Sequence, residues 1–108
     1  MNIEFQYLYR DGGNYKNFGS LVFGNCGRLA IEEIRQRIEH AIDGDKTFVA
    51  SCLKVPELFF RDFPFDPELD HGLHEFSDVV ETGSPSNDPG HRDILDLLVQ
   101  LEAQATTA

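Results

Sequence analysis

Five side chains able to hold a metal ion fall within ten residues: Asp66, Asp70, His71, His74 and Glu75. Neutral imidazoles and carboxylates ligate divalent cations, so one reading is a small metal-binding protein or metal-dependent enzyme using His71 and His74 with Asp66 and Asp70. The spacing works against it. His71 and His74 share a face only on a helix, Gly72 lies between them, and on a strand they point to opposite faces. The run does not follow the H-E-x-x-H order of a helical zinc site, and no cysteine joins it. Capping and surface packing account for the same residues, and no metal or other cofactor is expected.

Other chemistries find less support. Acid–base work needs one carboxyl in a dry pocket and one in a wet one, and a dense acidic run marks neither. Ser20 is in no G-x-S-x-G elbow, and neither Cys26 nor Cys52 has an evident neighbouring base. Gly12 and Gly13 are too few to cradle a phosphate, and no lysine follows at P-loop spacing. No catalytic residue is therefore assigned. The two cysteines form no disulfide framework and read as reduced thiols.

The stronger signal is charge. The chain has 108 residues with 19 Asp and Glu against 9 Lys and Arg, a formal net charge of -10. A polyanion repels such a surface, so direct nucleic-acid binding is not expected. The imbalance is segregated: residues 1–61 sum to zero, whereas residues 62–108 hold eleven acids and one base, Arg92. Residues 62–82 carry Asp62, Asp66, Glu68, Asp70, Glu75, Asp78 and Glu81 with no Lys or Arg. Such a run either spreads over solvent or meets a basic partner. Phe59, Phe60, Phe63 and Phe65 crowd its beginning, and aromatics beside carboxylates are typical of interfaces. Candidate partner-binding residues are Asp62, Phe63, Phe65, Asp66, Glu68, Asp70, Glu75, Asp78 and Glu81.

These residues must be positioned by elements whose periods are legible. Ile3, Phe5, Tyr7 and Tyr9 alternate with more polar neighbours, which reads as a half-buried strand. Asp11, Gly12, Gly13 and Asn14 supply a reversal, and residues 15–23 resume an extended pattern. The expectation is an N-terminal hairpin over residues 2–23. Ile31, Ile34, Ile38, Ala41 and Ile42 recur at three and four, predicting an amphipathic helix over about residues 29–43. Residues 47–52 read as a short strand, and Pro56 stops it. Asp66, Pro67 and Gly72 suit a short capped turn, and residues 74–82 read as extended. Asp88 and Pro89 suggest the start of a last helix over about residues 89–103, with Ile94, Leu97, Leu98 and Leu101 as its buried stripe. Together these predict one α+β domain over residues 1–108, a small two-layer fold with a mostly antiparallel sheet and both helices on one face. No apolar run approaches the ~20 residues of a membrane span, so no membrane partner is expected. The first residues lack the pattern of a secretory signal, which predicts a cytoplasmic protein.

The opening MNIEFQYLYRDGGNYKNFG (1–19), with VPELFF (55–60) and DPELDHGLHEF (66–76), resembles a group of small bacterial proteins to which no activity is assigned. The likeness implies a bacterial or phage source and a single domain, and it carries over no functional residue. In size and charge the chain also resembles the acidic inhibitors, anti-CRISPR and anti-restriction proteins among them, that phages direct at nucleic-acid-processing complexes. The leading expectation is a non-catalytic, acidic protein-interaction module that meets a basic surface of another protein. In its sharpest form it is a nucleic-acid-mimicking inhibitor. The alternatives are the metal-dependent reading above and an antitoxin-like or structural subunit that pairs through the hairpin edge.

Overall fold

β1 (Asn2–Arg10) runs through the middle of the molecule because its alternation gives it one face for the core. Ile3, Phe5, Tyr7 and Tyr9 are 0%, 0%, 1% and 2% exposed, so every odd position from Ile3 on is sealed. The computed structural model describes residues 1–10, 16–42, 47–58 and 73–107. In it β1 pairs antiparallel with β2 (Lys16–Phe23), from Ile3 opposite Phe23 to Arg10 opposite Lys16, as the hairpin reading requires. On its other side β1 pairs antiparallel with β4 (Leu73–Thr82), and β3 (Thr47–Val49) closes the far edge, giving the order β2-β1-β4-β3. The β1–β4 register shifts between Gln6 and Tyr7, where Ser77 is the extra residue of a bulge.

The helices cover the face that β1's odd residues present. α1 (Ile31–Ala41) buries Ile34 and Ile38, four apart and therefore on one stripe. Glu32 and Glu33 occupy its first turn, where carboxylates complement the helix dipole. α3 (Ile94–Thr107) buries Ile94, Leu97, Leu98 and Leu101. One apolar cluster joins these to Phe5, Phe23, Phe48 and Phe76. Phe5 stacks on Phe76 at 5.6 Å between centroids and meets Phe48 edge-on at 5.8 Å. Each such side chain removed from water contributes roughly 1.5–3 kcal/mol. This is the expected α+β architecture.

Two expectations need correction. The strand read over residues 47–52 ends at Val49, and Ala50–Leu53 form a one-turn helix, α2. It closes in a Schellman pattern: the Val55 amide reaches the Ala50 carbonyl at 3.2 Å, while Lys54 takes the left-handed conformation at φ 56°. The last helix begins at Ile94, not at Pro89. Asp88 caps a separate turn, accepting the Arg92 amide at 3.0 Å, and His91 at φ 53° cannot continue a helix. The N-cap is Asp93, which accepts from the Leu95 amide while its own amide donates to Asp96, the two-way exchange of a capping box.

Candidate acidic interface

Among the described residues the segregation of charge along the chain is partly undone in space. Arg10 on β1 donates to Glu75 on β4 from Nε at 3.0 Å and Nη2 at 3.2 Å. Arg37 on α1 holds Glu102 on α3 from Nε at 3.0 Å and Nη2 at 2.7 Å. Arg35 on α1 donates to Asp78 at 3.0 Å, to Glu32 at 2.7 Å and to the Val79 carbonyl at 3.0 Å. Each of these arginines comes from the neutral half, and each reaches a carboxylate of the acidic half. The planar guanidinium suits these two-point contacts, which fix geometry as well as charge. Partial burial pushes the Asp78 carboxyl up, but the bonds from Arg35 and the Val79 amide, with the Arg35 charge, outweigh it and hold it low. The bond from Arg37 holds Glu102 below the usual carboxylate range.

Arg92, the one base of the acidic half, works differently. Its Nε and Nη2 grip the two Asp88 oxygens at 3.0 and 2.8 Å. Nη1 donates to the Leu53 carbonyl and Gln100 Oε1, and Nη2 also donates to the Lys54 carbonyl. That accounts for all five N–H donors of a guanidinium. Arg92 thus caps the carbonyl end of α2, and it lies over the Phe23 ring at 5.3 Å from the centroid. Asp88 is fully enclosed at the side chain, and the Arg92 bond holds its carboxyl well below its usual range. A recess of about 570 Å³ opens beside Lys54, Arg92, Asp96 and Gln100. With Arg92 saturated, the recess offers an anion no guanidinium.

Of the predicted contact residues, Asp62, Phe63, Phe65, Asp66, Glu68 and Asp70 lie outside the described residues. Glu75 and Asp78 are on β4 and already matched by arginine. Glu81 is exposed on the same strand, with no ion pair among the described residues. Asp93 and Asp96 serve the α3 cap. Among the described acids of residues 62–108, Glu81 is therefore the one with neither an ion pair nor a capping role, and Asp96 is exposed beside its cap. On α1, Glu32, Glu33 and Glu39 add exposed carboxylates.

The metal reading meets a specific geometry. His71, Asp66 and Asp70 lie outside the described residues. His74 is 0% exposed, its ring beside Tyr9 at 5.2 Å and Tyr7 at 6.0 Å. Its Nε2 accepts the Leu58 amide at 2.9 Å, which commits that lone pair and requires the neutral ring. Among the described residues no group of three or more His, Cys, Asp and Glu could hold a metal ion. Cys26 is an exposed free thiol.

No family model, curated protein or solved structure matches the chain. No described helix is long and apolar enough to cross a membrane. One feature that the sequence reading placed only in an alternative is prominent here, the outer edge of β2. Phe18 is 64% exposed on it, where strand alternation alone gives no hint of edge or centre.

Proposed function

We infer that the protein is a non-catalytic, acidic interaction module that engages a basic surface of another protein. In its sharpest form it stands in for nucleic acid on a bacterial DNA- or RNA-processing complex, as anti-CRISPR and anti-restriction inhibitors do. The observation that carries this reading is a surplus that internal pairing cannot absorb. Each ion pair consumes one base and one acid, so 9 bases against 19 acids leave the net charge at -10 whatever the fold does. Pairing decides only which carboxylates remain. Among the described residues Glu75 and Asp78 are tied to arginines and Glu81 is not; the same stretch of sequence also carries Asp62, Asp66, Glu68 and Asp70. Phe63 and Phe65 stand among those acids in the sequence, and aromatics beside carboxylates suit an interface. A surplus of carboxylates draws a basic groove at long range and loses its pull as salt shortens the screening length below ~10 Å. This reading carries a cytoplasmic setting and a partner that binds nucleic acid.

The test is capture from bacterial lysate on the immobilised protein. Parent protein retains nucleic-acid-binding proteins at low salt, and both added duplex DNA and high salt release them. A variant carrying Asp62→Lys, Asp66→Lys, Glu68→Lys and Asp70→Lys retains none of them. A partner that stays bound to the charge-reversed variant, or that duplex DNA does not displace, overturns the reading.

A further inference from the structure

The two edges of the sheet are finished differently. β3 has three residues and turns at once into α2, so it offers little to pair with. β2 has eight residues in unbroken register with β1, and it contains no proline, bulge or inward charge. These are among the usual devices that keep an edge from accepting another strand, and the edge charge of β2 is limited to Lys16 at its start. One end of the β2 edge is nonetheless covered. Val22 turns its backbone away from β1, its amide donating to Asn87 Oδ1 at 2.8 Å and its carbonyl accepting the Asn87 amide at 3.0 Å. Asn87 thus makes the two-point contact that one residue of a neighbouring strand would make. The period of two carries the same outward direction to Ser20, Phe18 and Lys16. Among the described residues nothing bonds to the outward backbone of those three.

We propose that β2 receives an extended, basic segment of the partner as a fifth strand along residues 16–20. This rests on the reading above and adds a binding mode to it. Phe18 stands on the outer face as the apolar contact. A shallow recess of about 270 Å³ lies beside it, lined by Glu4, Ser20 and Ser77 among others. Glu4 holds a carboxylate there, in contact with Gln6 Nε2 at 2.7 Å. On the opposite face Leu58 packs against Gly19, where an added Cβ would fall 2.8 Å from Leu58 Cδ2, and its carbonyl accepts from the Asn17 side chain at 3.0 Å. Glu57, next to Leu58, is exposed. Glu4 therefore puts a carboxylate beside the outer face of the edge, Glu57 is one residue from the Leu58 contact on the other side, and Lys16 is the cation at its start. Alternating apolar and basic side chains on the incoming strand fit that arrangement. A second copy fits worse, because it brings another net charge of -10.

The probe is the peptide acetyl-KVKVKVK-amide, titrated into ¹⁵N-labelled protein at low salt. Expected are amide shifts and slowed hydrogen exchange at residues 16, 18 and 20, none on β3, and no response to acetyl-EVEVEVE-amide. Ser20→Pro removes an outward donor at a position where an edge tolerates proline. It weakens the peptide at least tenfold while the spectrum stays dispersed. Phe18→Ser, which leaves the backbone intact, weakens it by a similar factor and guards against misfolding of the first variant. Shifts confined to residues elsewhere, or undiminished binding by both variants, overturn the proposal. So does a concentration-dependent dimer whose own β2 amides shift without peptide, since the edge is then taken by a second copy. The two inferences fail separately. If both variants still capture the DNA-displaceable partner, the edge proposal falls alone. If charge reversal leaves capture intact, the interaction reading falls whatever β2 does.

Discussion

Asp88 and Glu75 are each held by an arginine through two bonds, yet their surroundings differ. The Asp88 side chain is 0% exposed and its Arg92 partner 12%, whereas Glu75 and Arg10 are 26% and 34% exposed. A buried pair is costly to break because the survivor keeps its desolvation penalty without its partner. An exposed pair trades protein contacts for water and is worth ~0–1 kcal/mol. The acidic half therefore contains two kinds of carboxylate. Asp88 is architecture, and Glu75 is surface charge that happens to be steered by an arginine. The Glu75 pair can be exchanged for water without unfolding the protein, but the Asp88 pair cannot.

The sharpest way to break this contrast is Arg92→Met, which keeps an unbranched apolar stem near Phe23 and deletes five donors. Asp88 is then buried without a counter-charge, and the Leu53 and Lys54 carbonyls lose their cap. A loss of about 3–5 kcal/mol in urea unfolding at neutral pH is expected. The deficit should shrink in acid. The Asp88 carboxyl is held below its ordinary range in the folded parent, so its stabilisation is present above the unfolded value near 4. It is lost as the pH falls through the depressed value. A pH-independent deficit would mean that Arg92 acts through its packing and its bonds to the Leu53, Lys54 and Gln100 oxygens, not through Asp88.

Tyr7 gives the same lesson from the alkaline side. Its hydroxyl donates to the Pro56 carbonyl at 2.6 Å, and burial raises the phenol to about 12. The neutral form is favoured by folding, so the stabilisation is complete below the unfolded value near 10 and is lost as pH rises towards 12. About 2–3 kcal/mol should disappear over that window, read by unfolding midpoints. Tyr7→Phe should flatten it. The same slope in both proteins would place the titrating group elsewhere.

How much of this was readable beforehand depends on distance along the chain. β1, α1 and the Leu97–Leu98–Leu101 stripe were legible because their periods are local and each buries one face. α2 was not, since a helix of four residues has no period, and Thr47, Phe48 and Val49 before it favour a strand. The start of α3 was misread because Asp88 and Asp93 are both good caps. Arg92 decides between them by reaching carbonyls 38 and 39 residues away. The pairs of Arg10, Arg35 and Arg37 were hidden for the same reason. Pairs between β1 and β4, between α1 and β4 and between α1 and α3 join the two halves, and no local pattern announces those contacts. Likewise, the alternation of β2 reads the same at an edge as in the centre, so Phe18 gave no sign of its exposure.

The exposed side of the comparison is tested by Arg10→Gln, Glu75→Gln and the double variant. Each should cost under about 1 kcal/mol, with a coupling energy of no more than that, falling as salt is raised. A coupling above about 2 kcal/mol would put Glu75 in the same class as Asp88.

The smallest effect isolates the backbone on which Arg92 acts. Lys54 holds the left-handed conformation at the end of α2, a place where glycine avoids a cost of roughly 1–2 kcal/mol. Glycine gives back roughly 0.5–1 kcal/mol through the greater freedom of the unfolded chain. Lys54→Gly should therefore raise stability by about 0.5 kcal/mol, and the gain should survive in the Arg92→Met background only if the Schellman turn stands without its arginine. Loss of the gain in that background would show that Arg92 holds α2 closed, because the lysine's strain matters only while the turn exists.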